Sequence, residues 1–365
     1  MRRWLHGRNG RIEYERNAKA VFLVFMLIIA AFWGSSFAYP EKEKAESLLL
    51  EQKNTDRLKG ILALIVMEGH IVKFGDFPRL FFLDKAGVLM VGIFFFLSGY
   101  GVMYGMEHKS NYLQGFLGKR ILSVLIPCYL LYLLNYGVGL FGTRAVPENF
   151  IKYVLGRRFL DFLGQYWFVW VILLLYVLFY LLFRFIEKRW ALACLTGIVA
   201  VLLTAGYGVQ FSRVYWGGAL CFPLGIYAAQ KKSVFLKYFT GKKGVGLTVL
   251  LAVMLGVASV FYFVGGEYSF WGDLVGRNVA TLAAAMLAVY FLLHVNLDNP
   301  FNRCLSKIYW EIYIVHIVLI GAILNIGFFK IHQNYYAMVV ISGTVLIAFM
   351  LNKISRILMK AIIKR

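Results

Sequence analysis

The sequence predicts an all-α integral membrane protein, built as a ten-helix transmembrane core with one additional N-terminal hydrophobic segment. Three observations carry that prediction. Hydrophobic residues make up 61% of the 365-residue chain and charged ones 16%, far from the balance of a soluble domain. Apolar runs long enough to cross about 30 Å of hydrocarbon, which takes roughly 20 residues, recur along nearly the whole length. Basic residues gather in short clusters between those runs.

In chain order the apolar runs fall near 20–38, 58–74, 87–105, 121–141, 166–183, 191–207, 214–229, 245–264, 278–294, 308–328 and 336–352. Turn residues and charges separate them at 73–85, 144–158, 231–243 and 296–307. This divides the chain into residues 1–56, a basic N-terminus with a hydrophobic segment and a charged connector, and residues 57–365, the transmembrane domain. From residue 39 onward, alternate loops together with the C-terminal tail hold 22 Lys and Arg, and the intervening loops hold 10. By the positive-inside rule the ten-helix core begins and ends in the cytoplasm.

The leading segment resists that orientation. If residues 20–38 span, the six basic residues of the stretch Arg2 to Lys19 lie outside. Val21 to Phe32 behind a basic flank, followed by Ser36, Phe37 and Ala38, also has the pattern of a signal peptide. Cleavage there conflicts with the core orientation equally, and an interfacial or re-entrant segment is the third reading.

The net charge of +21 does not indicate nucleic acid, because the basic residues orient helices and do not line one polar face. Cys128, Cys194, Cys221 and Cys304 are scattered in apolar runs with no metal spacing, and read as small core residues. His70 and His316 also lack the spacing of a metal site.

Ionisable groups inside membrane helices are costly, so each asks for a function or a partner. Lys59 and His70 are eleven residues apart, about three helical turns, and project from one face about 16 Å apart in height. Lys59 then meets the cytoplasmic boundary and His70 reaches mid-membrane. An imidazole there suits a general base for an attacking hydroxyl, or else a structural histidine bonded to a neighbouring helix. Glu68 points away from His70 and is expected to pair elsewhere.

The following helix carries Gly92, Gly99, Gly101 and Gly105 for close packing, with Ser98 and Tyr100 supplying hydroxyls. Past its end, Lys119 and Arg120 form a basic pair before a helix containing Pro127. That pair suits the phosphates of a nucleotide-containing donor or, equally, an ordinary cytoplasmic anchor. Further on, Tyr309, Tyr313 and His316 share a stripe at i, i+4 and i+7, with Glu311 nearer the cytoplasm. His316 and Ser98 fall at a depth similar to His70, which argues for one cavity. Trp167 and the outer loop with Arg144, Arg157, Arg158 and Asp161 suit either glycan contact or an interfacial belt.

Taken in order, these pieces resemble the membrane-bound acyltransferase-3 family over roughly residues 55–355. The resemblance rests on the Lys59-to-His70 spacing, FFFLSGYG at 94–101, KRILSVLIP at 119–127, QYWFVWVILLLY at 165–176 and YWEIYIVH at 309–316. It implies that His70 is the essential histidine, Lys59 its basic partner, and Arg120 the first arginine of a cytoplasmic basic motif. Ser123 stands where the family often has a second basic residue, and many members have Arg where this chain has Lys59.

The resemblance further implies an O-acyltransferase of the bacterial-type plasma membrane, in the standalone form without a soluble esterase-like domain. Its donor would be cytoplasmic acyl-CoA, with acetyl the expected group, and its acceptor a hydroxyl of an envelope or lipid-linked glycan. Membrane lipids are further expected partners, and the chain either finishes the transfer itself or hands the acyl group to a separate protein. The competing class is a polytopic transporter or flippase, whose usual internal repeat is not visible in the sequence.

Overall fold

A computed structural model describes residues 26–37, 50–75, 77, 80–143, 157–265 and 268–363. The basic stretch Arg2 to Lys19, residues 41–49 of the connector and Arg144 lie outside the described residues. The protein is all-α. Its helices are α1 (26–32), α2 (Gln52–Gly75), α3 (Phe81–His108), α4 (Phe116–Thr143), α5 (Arg157–Leu163), α6 (Trp167–Phe185) and α7 (Lys188–Gly208). They continue with α8 (Cys221–Gln230), α9 (Lys232–Phe239), α10 (Gly241–Val264), a π-helix (Phe270–Gly276), α11 (Arg277–His294), α12 (Pro300–Leu324), α13 (Gly327–Ile331) and α14 (Gln333–Ile363).

Among the described residues, eight helices are long and apolar enough to cross a membrane. The most apolar of them, α10, is also the least covered by protein, with only 17% of its apolar window buried. Val249, Leu250, Val253, Val257, Val260 and Phe261 face outward along it. Such a surface is stable only in lipid, where an α-helix satisfies its own backbone and apolar side chains meet apolar solvent. The chain is therefore a multi-pass membrane protein.

Two expected core segments depart from this pattern. Helix α2 has 24 residues, about 36 Å, but carries Lys59, Glu68 and Lys73 and so falls short in apolarity. The segment expected at 214–229 is not one helix. Turns occupy 213–220, closed by Tyr215 N–H to the Ser212 carbonyl and Gly217 N–H to the Arg213 carbonyl, both 3.1 Å. Only the ten residues of α8, about 15 Å, are regular. The physical reason is the Gly217–Gly218 pair, with Gly218 at a φ of +86° that favours glycine and ends helical propagation. Trp216 and Ala219 are buried, so the irregular backbone is covered by protein and not by lipid.

The chain divides into two compact units. In the first, formed by residues up to 36, 56–87 and 297–353, α2 and α12 lie against each other. Gly60 permits this, since a Cβ there would come 2.6 Å from the Cβ of Leu305. Asn299 caps α12, its Oδ1 accepting from Asn302 N–H at 2.7 Å, and Pro300 fills the first helical turn. The same two asparagines serve α1. Asn299 Nδ2 donates to the carbonyls of Ala31 at 3.0 Å and Trp33 at 3.1 Å, and Asn302 Nδ2 donates to Ala31 at 2.7 Å. The carbonyls left over at the end of α1 are thus satisfied by the start of α12.

The second unit holds residues 37–55, 88–296 and 354–365. Its closest packing is between α3 and α8. A Cβ on Gly99 would lie 2.0 Å from the Phe222 carbonyl oxygen, and one on Gly225 2.0 Å from that of Phe96. Gly92 plays the same part against Thr281, and Gly105 against the Tyr112 ring, whereas Gly101 faces open space. Phe95, Phe96, Phe179 and Phe222 fill the interior. Asn54, preceding the first unit, is tied here by Nδ2 to the carbonyl of Val295 at 2.8 Å. Helix α4 continues through Pro127 without interruption.

Candidate functional site

The first unit brings together the two histidines that the sequence placed at similar depth. His70 Nδ1 on α2 lies 2.7 Å from His316 Nε2 on α12, with ring centroids 5.0 Å apart and planes inclined by 15°. His316 Nδ1 lies 2.9 Å from the Ile312 carbonyl oxygen, one helical turn earlier. His316 is fully buried, and His70 is partly exposed.

These contacts determine the tautomers. A carbonyl oxygen only accepts, so neutral His316 carries its proton on Nδ1 and presents the lone pair of Nε2. His70 must then donate from Nδ1, which leaves the lone pair on its own Nε2. That nitrogen hydrogen-bonds to no described residue. The order from carbonyl to His316 to His70 therefore orients one imidazole and presents its basic nitrogen outward. This is how a general base is held in place by a second group.

Around the pair, Tyr313 meets the His316 ring edge-on at 6.0 Å and stacks on Trp310 at 5.7 Å. Lys59 sits over the Tyr309 ring at 5.5 Å, and its Nζ is 2.9 Å from Asp56 Oδ1. Asp298 pairs with both Arg57 and Arg303, tying the starts of α2 and α12 together. Glu311 Oε1 accepts from Asn352 Nδ2 on α14 at 2.9 Å. Buried Glu68, expected to pair elsewhere, makes no hydrogen bond or ion pair to any described residue.

The remaining expected site residues belong to the second unit. Arg120 Nη2 donates to Tyr112 Oη at 2.9 Å, and the guanidinium lies over Phe116 at 5.8 Å and Tyr176 at 5.6 Å. Lys119 beside it is exposed. Exposed Ser123 donates through Oγ to the Arg120 carbonyl at 2.8 Å. Ser98 is partly exposed, while Tyr100 is buried and stacked with Tyr104 at 6.0 Å. Trp167 opens α6 and meets Phe168 edge-on at 6.2 Å.

Sequence reasoning missed Asp56, the Ile312 carbonyl, Tyr112 and Tyr176. Asp56 and Ile312 were accessible from helical spacing, being three and four residues from their partners. Tyr176 is far from Arg120 in sequence, and nothing local marks it.

The fold and the site define a class, the multi-pass membrane proteins that hold a hydrogen-bonded histidine pair among their helices. The family model for the acyltransferase-3 domain matches residues 53–353, most of the chain. The protein belongs to the acyltransferase-3 family and is a membrane acyltransferase, acting on an acyl donor and an acceptor. No curated protein and no solved structure gives a significant match.

Proposed function

We propose that this protein moves an acyl group, acetyl in the simplest case, from cytoplasmic acyl-CoA to a hydroxyl of an envelope or lipid-linked glycan in a bacterial-type plasma membrane. The observation that carries the reading is the His316-to-His70 hydrogen bond, with Nε2 of His70 left basic. His70 Nε2 takes the acceptor's hydroxyl proton as that oxygen attacks the thioester carbonyl. The tetrahedral intermediate collapses with cleavage of the C–S bond, and the imidazolium returns its proton to the leaving thiolate. An ester and free CoA result.

Lys119 and Arg120 hold the donor phosphates, and Lys59 is the basic partner of His70. The Arg120 guanidinium lies 5.8 Å from the Phe116 ring and 5.6 Å from the Tyr176 ring, and its planar fork suits charge-assisted bonding to phosphate. Tyr313 walls the histidine pair, while Tyr100 and Ser98 offer hydroxyls and Trp167 an aromatic face to the substrates. Glu311 acts by tying α12 to α14.

The deciding experiment incubates membranes containing the protein with acetyl-CoA and follows free thiol release alongside the mass of envelope glycans. Acetyl-sized mass gains matched by thiol release support the reading. Movement of an unmodified solute without thiol release would replace it with transport.

Two variants test the assignments. His316→Leu removes the acceptor for His70 Nδ1–H, so kcat falls about a hundredfold while the KM values stay near wild type. His316→Gln, whose amide oxygen accepts that proton, recovers about tenfold of the loss. A purely structural His316 would show no such rescue. Arg120→Gln raises the KM for acyl-CoA about tenfold with kcat little changed, because one charged hydrogen bond to the donor is lost. An unchanged donor KM would remove Arg120 from the donor site.

A further inference from the structure

The second unit contains a buried cation that the reaction above does not use. Arg277 opens α11 directly after the π-helix and is only 3% exposed. Its Nε and Nη1 make no hydrogen bond to any described residue. The guanidinium lies over the Tyr262 ring at 5.7 Å, but a cation over a ring engages the face of the ion and leaves its in-plane N–H donors unmet. A buried guanidinium with unmet donors is costly. Asp273 is already engaged, both oxygens lying 3.2 Å from Arg213 Nη1 and Oδ2 accepting from Tyr268 N–H at 2.6 Å.

The backbone is shaped around the ion. A Cβ at position 217 would come 2.5 Å from Arg277 Nε, so only glycine lets the chain lie against the guanidinium. The adjoining Gly218 N–H donates to Asn278 Oδ1 at 3.0 Å, which anchors that turn to the start of α11. π-helical turns recur at functional sites, and this one delivers Asp273 and Arg277 to the same place.

Sidedness follows from charge. Lys231, Lys232, Lys237, Lys242 and Lys243 precede α10 and belong in the cytoplasm, so the far end of α10 and the start of α11 face the extracytoplasmic side.

We propose that Arg277, backed by the Trp216–Gly218 turn and the π-helix, forms an oxyanion-binding subsite on the extracytoplasmic side that holds the carboxylate or phosphate of the acceptor. The identity of the occupant as acceptor rests on the transferase reading above. Nε and Nη1 each share an edge of the guanidinium with Nη2, and either edge matches the paired oxygens of a carboxylate or phosphate. An acidic sugar and a sugar phosphate both fit, as does an anionic lipid headgroup.

The test is thermal unfolding of the full-length protein in neutral detergent. It compares inorganic phosphate, glucuronate and glucose, with chloride matching the ionic strength. A parallel arm compares phosphatidylcholine nanodiscs with and without phosphatidylglycerol. We expect at least one oxyanion to raise the Tm where glucose and chloride do not, with half-saturation shifted about thirtyfold or more in Arg277→Gln. Stabilisation by glucuronate or phosphate identifies an acceptor-type occupant, and stabilisation by phosphatidylglycerol alone identifies a lipid headgroup.

Arg277→Lys keeps the charge without the planar fork, and supplies the comparison if the Gln variant does not fold. The subsite is overturned if no oxyanion stabilises the wild type beyond chloride, or if the variants respond as the wild type does. Thiol release from acetyl-CoA is read separately. Arg277-dependent binding without turnover would sink the transferase reading alone, and turnover without such binding would sink the subsite alone.

Discussion

His70→Gln lowers kcat for acyl transfer by about 10²- to 10⁴-fold, the usual contribution of a positioned general base. Glutamine is chosen because its amide can still donate toward His316 Nε2, which stands 2.7 Å from the nitrogen that is replaced. The packing of α2 on α12 is thereby kept, while no group on the side chain can take a proton. Because His70 is only partly exposed and the change conserves size, protein in the membrane should remain near wild-type levels. Donor KM is unchanged, since the amide alters a proton transfer and not the binding of CoA. The measurement is initial rates of thiol release at equal membrane protein. Rates within a few-fold of wild type would remove His70 from the chemistry and leave the histidine pair as a packing feature.

Gly225→Val has the largest expected effect on stability, at about 3 kcal/mol or more. A Cβ at this position would stand 2.0 Å from the Phe96 carbonyl oxygen and 2.8 Å from the Tyr100 backbone nitrogen. The obstacles are backbone atoms in the middle of α3, so no side-chain rotation relieves the overlap. Gly99 makes the reciprocal approach to Phe222, and the two helices must separate along the whole crossing. Unfolding in a graded denaturing detergent series should show loss of the folded form well before wild type. Gly101→Ala, made in open space on α3, is the control and should be neutral or stabilising by up to about 1 kcal/mol. Equal stability of Gly225→Val and wild type would mean that α3 and α8 do not touch through their backbones.

Much of the site was visible before the fold because helical spacing is local. The eleven-residue step from Lys59 to His70 and the stripe through Tyr309, Tyr313 and His316 both depend only on 3.6 residues per turn. Glu311 shows the limit of that logic. It lies in the same stretch as His316, and the spacing within that stretch does not reveal its hydrogen bond to Asn352 on another helix. Lys59 illustrates the same point from the other side, since its charge is shared with Asp56 three residues earlier.

The break at 213–220 was the main departure in the fold. An apolar run reads as a helix because hydropathy measures transfer into lipid, and does not report whether the backbone within the run is regular. The signal that could have revealed it is the pair Gly217 and Gly218, followed by Pro223 in the first turn of α8. The π-helix at Phe270–Gly276 had no such local mark, because one extra residue in a turn leaves the hydrophobic pattern almost unchanged.

The sequence by itself determined the solvent, the helical class and the family, since each follows from composition, from periodicity or from motifs that are contiguous in the chain. Only the tertiary structure decided that His316 supports His70, that Asp273 serves Arg213, and that Arg277 keeps unmet donors in a buried place. The reason is physical. A helix satisfies its backbone within itself and so is readable from neighbours in sequence. A buried polar side chain must find its partner in space, across 246 positions for His70 and His316 and 60 for Arg213 and Asp273.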